Sequence, residues 1–392
     1  MKIGIVGVGT ASAVAVSTLL TNLPKSIEVT CFYNPDIPIT HVGESASAAI
    51  YGLMYEAIRF DPLKDLDGID GTLRYCTKYN WTAAHGEDFT IRYAAPGLHV
   101  NSEKFSAFVF KRLEQLYENF TMVPENVKSV TQVEYAATIR GDKDAYSFDY
   151  VIDCRGTPSV EELNSAEYNK PQFVSVNSVI LYPDFQRYDE PYTSSYIHDN
   201  GWMFGVPLQH RKAWGYLYNN TITSIDEAKA KFAAIKEIDT EPLRKFSWTP
   251  YYKTQAQAGR ILSMGNRLYF FEPHQAIPLH FYMLLTKRFC EALMNTDNAW
   301  GVENIVNRMY LDHVEYIQDL IAINYVGENK LDTPFWRYAI ENGKKRLHSS
   351  DRFVNWSQHV IHNGPAGYAF HGRELMREYI DGYRIDLSEF CR

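Results

Sequence analysis

The chain opens KIGIVGVGTASAVAVSTLLTNL, and this stretch limits the possible folds more than any other. KIGIV reads as a short buried strand, and glycines at 7 and 9 follow it at once. An Ala-rich helix then runs from Thr10, and SIEVTCFY reads as the next strand. The result is a β-α-β unit. Gly7 permits the tight turn, and Gly9 allows the backbone to approach a pyrophosphate at the helix N-terminus. Thr10 and Ala11 continue that turn. The third position of G-x-G-x-x-G is Ser12, small enough to be tolerated. The acidic residue that would hold a ribose hydroxyl pair at the end of the second strand is missing. Tyr33 and Asn34 stand there, which predicts weak or reversible holding of an adenosine end. Glycine turns of this kind also serve packing alone, so the segment leaves both readings open. Its basic start and small-residue tail also resemble a secretory leader, but the glycine spacing favours a folded element.

At 392 residues the chain can bury a large core, in two domains or one elaborated domain. A net charge of −8 argues against a nucleic-acid surface. Five scattered cysteines, odd in number and without a C-x-x-C pair, argue against a disulfide framework and structural zinc. They predict a reducing, cytoplasmic setting and no metal site. No later run is long and apolar enough to span a bilayer, so no membrane partner is expected. The 28 tyrosines suit a site that stacks on flat rings, and they suit a Tyr-rich core equally well.

Three further segments add to the glycine turn. HVGES supplies Val42, Gly43, Glu44 and Ser45. LHVNSEKFSAFVFKRLEQL joins an extended segment to an amphipathic helix, and SFDYVIDCRGTPS is a strand ending in a turn at Gly156. In order and spacing these resemble the flavin-binding segments of the single-component hydroxylase superfamily. The resemblance implies FAD, with Gly265 as a further residue against the cofactor. No second strand-helix glycine unit is present to bind a nicotinamide. Reduced FAD would therefore come from a separate flavin reductase.

GWMFGVPL narrows the resemblance. The flavin-dependent halogenases of the tryptophan-halogenase type carry W-x-W-x-I-P, matched here by Trp202, Phe204, Val206 and Pro207. GYLYNN, SIDEAKAKF and DTPFWR follow in register, and the likeness runs from Met1 to about Arg337. On a strand, both rings would lie on one face. The family implies that the pair walls the substrate off from the flavin. Halide is then oxidised instead, and hypohalous acid travels to a separate pocket for a small, electron-rich aromatic substrate. The plain alternative is a hydrophobic strand whose rings serve the core.

The family places its catalytic Lys in a segment like F-K-x-x-x-K-[FY]-x-x-W, which resembles LRYCTKYNW at residues 73–81. Anchored on the left, that Lys falls on Arg74 and its companion on Lys78. Lys78 is favoured, because an amine can lose a proton on desolvation and a guanidinium effectively cannot. Arg74 as a fixed donor, with Lys78 on the surface, stays open. LYFFEPHQAIPLH resembles the family's E-P-L-E-S-T. Glu272 and Pro273 match, while Gln275 replaces the second Glu, and Ala276 and Ile277 replace the Ser-Thr pair that helps hold chloride. Gln cannot act as a base, so activated arenes are expected. An apolar halide niche disfavours strongly hydrated chloride, so bromide or iodide is expected. His274 could substitute as a base, although a lone loop His is more often structural.

The implied fold class is α/β. A FAD-binding, Rossmann-like β-α-β core of the flavin monooxygenase superfamily would be interleaved with a mixed or helical substrate domain. The flavin module would take residues 1–165 and 255–295, and the substrate module 166–254 and 296–392. The last fifty or so residues match little, and a short C-terminus predicts an open, tolerant pocket. A flavin-dependent aromatic hydroxylase or oxidase, or a non-catalytic flavin-binding protein, would fit the same fold. An oligomer is possible.

Overall fold

The computed structural model describes residues 1–37, 43–81, 89–133, 135–186, 188–239, 243–273, 276–296, 298–329, 331–364 and 373–391. The chain divides into two compact units. The first holds Met1–Arg74, Ala95–Asn169 and Tyr251–Leu311; the second holds Tyr75–Ala94, Lys170–Pro250 and Asp312–Arg392. The units interleave. Residues 75–94 belong to the second, and the first continues to Leu311.

The first unit is built on β1 (Lys2–Val6), β2 (Glu28–Tyr33), β6 (Phe120–Pro124), β10 (Tyr150–Asp153), β18 (Gln257–Ala258) and β19 (Ile261–Ser263). Their order is β18-β19-β10-β1-β2-β6, parallel except for the edge strand β18. A parallel sheet must be covered on both faces. One cover is helical: α1 (Thr10–Asn22) packs among α2 (Ala48–Ile58), α4 (Ser102–Leu116) and α7 (Ile277–Asn295). Every residue of α1 from Ser12 to Leu20 is buried, so the opening segment is an internal element of this fold. The other cover is a meander of β7 (Ser129–Val133), β8 (Ala136–Arg140) and β9 (Ala145–Phe148). Its Ile139 and Phe148 lie so close to Gly4 that a Cβ there would approach each within 2.8 Å. The unit also contains β3 (Gly43–Ala46), paired antiparallel with residues 98–101 of β5 (Phe89–Asn101). A small sheet of β11 (Tyr168–Asn169), β17 (Tyr251–Lys253) and β20 (Tyr269–Phe270) completes it, with two short helices, α3 (Pro62–Asp65) and α5 (Val160–Leu163).

The second unit is an antiparallel sheet in the order β16 (Arg244–Ser247), β12 (Ser178–Asp184), β15 (Lys212–Tyr218), β14 (Gly201–Pro207) and β13 (Tyr192–His198). The distal part of β4 (Thr72–Asn80) then pairs in parallel with β13. Both faces are covered. On one, α6 (Ile225–Lys236), capped by Ser224, buries Ala228 and Phe232 against Ile180, Met203, Trp214, Tyr216 and Tyr218. On the other, a helical layer, the distal part of α8 (Ala299–Val326), α9 (Pro334–Ser349) and α11 (Arg373–Gly382) bring rings to Tyr79 and Trp81, and α10 (Asp351–Asn363) packs on α9. Rings of this layer meet rings of β4: Tyr379 and Tyr383 lie edge-on to Tyr79, each with centroids 5.9 Å apart. The DTPFWR segment fixes α9 in place. Thr333 caps the helix by accepting from Trp336 N and donates to Asp199 O, while Trp336 Nε1 donates to His198 O at 2.9 Å. All five cysteines are free thiols.

Candidate active site

In the first unit, Gly7 leaves β1 with φ of 104°, and a Cβ there would lie 2.7 Å from the Cys154 carbonyl oxygen. This turn requires glycine. Gly9 is the N-cap of α1 and has no side-chain cap bond. A Cβ on Gly9 would meet nothing within 4 Å, so its backbone is open to approach. Ser12 Oγ donates to Gly9 O at 2.8 Å, giving the residue that replaces the third glycine a definite task. The first turn of α1 has no acidic residue, so its unpaired amides and the positive end of the helix dipole favour an anion. Ala11 meets Gly265: a Cβ there would stand 2.9 Å from that of Ala11, and φ is 65°. Gly156, with φ of 83°, is likewise open.

Thr10 Oγ1 donates to Glu44 Oε1 at 3.3 Å. Burial pushes the Glu44 carboxyl up, against hydrogen bonds from Ser102 and Thr10 that lower it. Gly43 and Ser45 flank it in β3, opposite Asn101 and His99. The structure thus gathers Gly7, Gly9, Thr10, Ala11, Ser12, Glu44 and Gly265 around one helix end. The glycine turn and the helix N-terminus fit the pyrophosphate of a dinucleotide, while the Glu44 carboxyl, itself an acceptor, is taken up by Thr10. At the end of β2, Asn34 Nδ2 donates to Asn126 Oδ1 at 3.2 Å, Asp36 N donates to Asn34 Oδ1, and Glu125 N donates to Tyr33 O. Val42 lies outside the described residues.

A charged cluster closes β10, and the sequence reading did not anticipate its pairing. Arg155 donates to both oxygens of Asp153, at 2.9 and 2.8 Å. Arg267 Nε lies 3.5 Å from Asp153 and its guanidinium pairs with Glu162, holding that carboxyl down at about 2. Arg155 and Asp153 are sequence neighbours, but Arg267 lies more than a hundred residues from both of its partners, and no local motif announces it.

Glu272 is buried in the stretch after β20. Gln275 and His274 lie outside the described residues. Ala276 is the N-cap of α7 in the left-handed region, with φ of 56°, and Ile277 is the first helical residue. These two positions present helix-end backbone and no hydroxyl. Arg74 is buried in the proximal part of β4, in the first unit.

In the second unit, β14 is buried along its whole length. Trp202 and Phe204 share one face, as alternation requires, with centroids 6.2 Å apart. Phe204 lies over Gly215, where a Cβ would be 2.3 Å from the ring. Trp202 meets Trp81 at 6.0 Å, and Trp81 in turn contacts Trp336 and Tyr325 while donating from Nε1 to Ser195 Oγ at 2.8 Å. This face is a continuous aromatic layer. Pro207 ends the strand opposite Lys212.

Lys78 is on the other face. Its register partner is Ser194, which pairs with Gly205, whereas the partner of Tyr79 is Ser195, which pairs with Phe204. Lys78 Nζ sits 3.9 Å over the Tyr192 ring and is half-buried. The rings at 202 and 204 and the favoured amine therefore share a sheet but not a face. Around Lys78 the same face carries Lys212, Glu190, Tyr188, Asp184 and Lys236. Lys212 is 2% exposed and donates to Glu190 and, at 3.3 Å, to Ser194 Oγ. Burial pushes its ammonium pKa down, opposed by Glu190 and Asp184. Lys236 Nζ stands 3.6 Å over Trp214, and burial lowers its pKa as well. Farther along this face His198 stacks on Tyr216 at 3.6 Å, and burial lowers it to about 3. None of this second group was foreseen. The available signal was a lone Lys at the head of the apolar run AWGYLY.

Among the described residues no cluster of His, Cys, Asp and Glu could hold a metal, and no helix is long and apolar enough to cross a membrane.

The sequence model of the family described as tryptophan halogenase matches residues 2–131 and 96–376 of this chain. The chain belongs to that family. The match extends beyond Arg337, the end of the DTPFWR motif, to residue 376. Among its relatives is tryptophan 7-halogenase RebH of Lentzea aerocolonigenes, 24% identical over 328 residues, which are 78% of this chain and 57% of that protein. Tryptophan 7-halogenase KtzQ of Kutzneria sp. (strain 744) is 26% identical over 289 residues, 70% of this chain and 50% of that one. The match thus spans roughly half the length of these relatives. A tryptophan halogenase from Shewanella frigidimarina superposes with a TM-score of 0.85 at 16% identity, over 98% of this chain and 89% of that chain. A flavin-dependent halogenase from Xanthomonas campestris gives 0.82 at 14%, over 99% and 92%. At these identities the superpositions establish the fold: α/β, with a Rossmann-like parallel core.

Proposed function

We propose that this chain is a flavin-dependent halogenase that takes reduced FAD from a separate reductase, together with dioxygen and a halide, and halogenates small electron-rich arenes through hypohalous acid. The observation that carries this reading is a family match in two overlapping segments, 2–131 and 96–376, which together take in both the Gly7–Gly9 turn and β14. When bound, reduced FAD supplies the electrons that activate dioxygen toward halide. Gly7, Gly9, Thr10, Ala11 and Ser12 would hold its pyrophosphate, with Gly43, Glu44, Ser45, Gly156 and Gly265 beside them. The absence of an acid at Tyr33 and Asn34 suits a cofactor that arrives reduced and leaves oxidised. Ala276 and Ile277 present helix-end backbone and apolar side chains to the halide, which favours the weakly hydrated bromide or iodide. Trp202 and Phe204 act as the wall that keeps arene from the flavin. Lys78 is the working amine, holding or activating hypohalous acid as an ammonium or amine.

The test is to supply the purified chain with a flavin reductase, FAD, dioxygen and each halide in turn, with a panel of indoles, and to read product mass. A brominated or iodinated indole is expected. A hydroxylated product would favour the hydroxylase reading, and no product with any halide would favour a binding protein. A clear preference for chloride would remove the halide assignment alone.

A further inference from the structure

Gly205 stands in β14 between Phe204 and Val206, with its missing side chain on the Lys78 face. A Cβ there would lie 2.6 Å from Lys212 Cε and 2.6 Å from the Trp214 ring. The glycine leaves a trough across the strand, and the Lys212 stem fills it. At the end of that stem, the ammonium donates to Glu190 and to Ser194 Oγ, with the Trp214 ring centroid 4.3 Å away and that of Tyr188 4.9 Å away. Glu190 also accepts a hydrogen bond from the Tyr192 phenol. The face of the Tyr192 ring carries the Lys78 ammonium at 3.9 Å.

We infer that Lys212 is a positioning residue for Lys78: it occupies the Glu190 carboxylate, so that Lys78 rests on the Tyr192 ring and remains available to react. The assignment rests on Lys78 being the working amine proposed above. The charges facing Lys78 from the packed elements explain why a lock is needed. Glu190 and Asp184 are the nearby carboxylates, and Tyr188 already donates to Asp184. Lys236, from α6, is over Trp214. Glu190 is one-quarter exposed and, without Lys212, would keep only the Tyr192 phenol and could turn toward Lys78. An ion pair there would replace the weaker ring contact and tie up the amine.

The experiment measures how fast Lys78 is labelled by reductive methylation at fixed pH, read by mass on the peptide that contains it. The proteins are wild type, Lys212→Met, Glu190→Gln and the double variant Lys212→Met/Glu190→Gln. Met keeps the stem and removes the charge, and folding is checked by thermal melt. Lys212→Met is expected to slow Lys78 labelling by about two- to fivefold, the size of a new part-exposed ion pair. The double variant is expected to restore it, a coupling that loss of packing alone would not produce. Gly205→Ala displaces Lys212 from the opposite side and should slow labelling in the same direction. Unchanged labelling in folded Lys212→Met, or no recovery in the double variant, would overturn the assignment. Labelling that changes as expected while halogenation does not would leave Lys212 as assigned and remove Lys78 as the working amine.

Discussion

The two faces of β14 differ in kind, although successive residues of one strand build both. Toward the helical layer it presents Trp202, Phe204 and Val206, joined to Trp81, Trp336 and Tyr325 in a layer that is nearly all ring. Toward α6 it presents Met203, Gly205 and Pro207. There the small residue admits a lysine, and the neighbouring strands bring carboxylates and phenols. The aromatic face contributes stability through area and close contact. The α6 face has a core of its own, with Met203, Trp214, Tyr216 and Phe232, but it is the polar one: beside that core it holds groups whose charge depends on their partners. The GWMFGVPL stretch therefore marks two things at once: packed rings on one side and a gap for a charged side chain on the other.

The largest effect expected from breaking this contrast is on the aromatic face. Trp202→Ala should cost about 3–5 kcal/mol, because a buried indole leaves a cavity between Trp81 and Phe204. A loss of unfolding free energy in urea melts of less than a third of that would mean the layer is loosely packed.

The polar face should respond to protons. His198 is held at about 3, against 6.5 for the free side chain, because it is buried. Between those values the unfolded chain binds a proton that the folded chain does not, so stability rises with pH and is lost as pH falls. From pH 7 to pH 5 this one group should remove about 2 kcal/mol. His198→Phe keeps the ring stack on Tyr216 and should flatten that part of the slope in urea melts. An unchanged slope would place the proton uptake elsewhere.

A smaller and asymmetric pair of effects sharpens the comparison. Glu190→Gln leaves the buried Lys212 charge without its acid and should cost about 1–2 kcal/mol, reduced because Glu190 is partly exposed. Lys212→Met should change stability by less than about 1 kcal/mol, since Met fills the trough and the remaining carboxylate reaches water. Equal losses from the two would mean that Lys212 serves packing rather than charge.

The parts legible in the sequence are those carried by local spacing. The Gly7–Gly9 turn, the helix from Thr10 and the shared face of Trp202 and Phe204 each follow from a period of a few residues, and each is in place. Lys78 shows the limit. Alternation along β4 places it on a face, but which face matters only once the register with β13 is known, and that pairing joins strands over a hundred residues apart. The same non-local pairing puts residues 75–94 in the second unit. Lys212 and Glu190 were invisible for a related reason, since an isolated lysine before an apolar strand reads as a solvated strand end. Ala276 shows a third limit: its left-handed backbone is set by how the chain enters α7, and alanine gives no sign of it.

The most direct measurement is product mass from wild type and Lys78→Ala, each given a flavin reductase, FAD, dioxygen, bromide and an indole. The account predicts a monobrominated product from wild type and a rate at least about a hundredfold lower from the variant, the scale of a lost acid-base group. A hydroxylated product from wild type, or full bromination by Lys78→Ala, would contradict it.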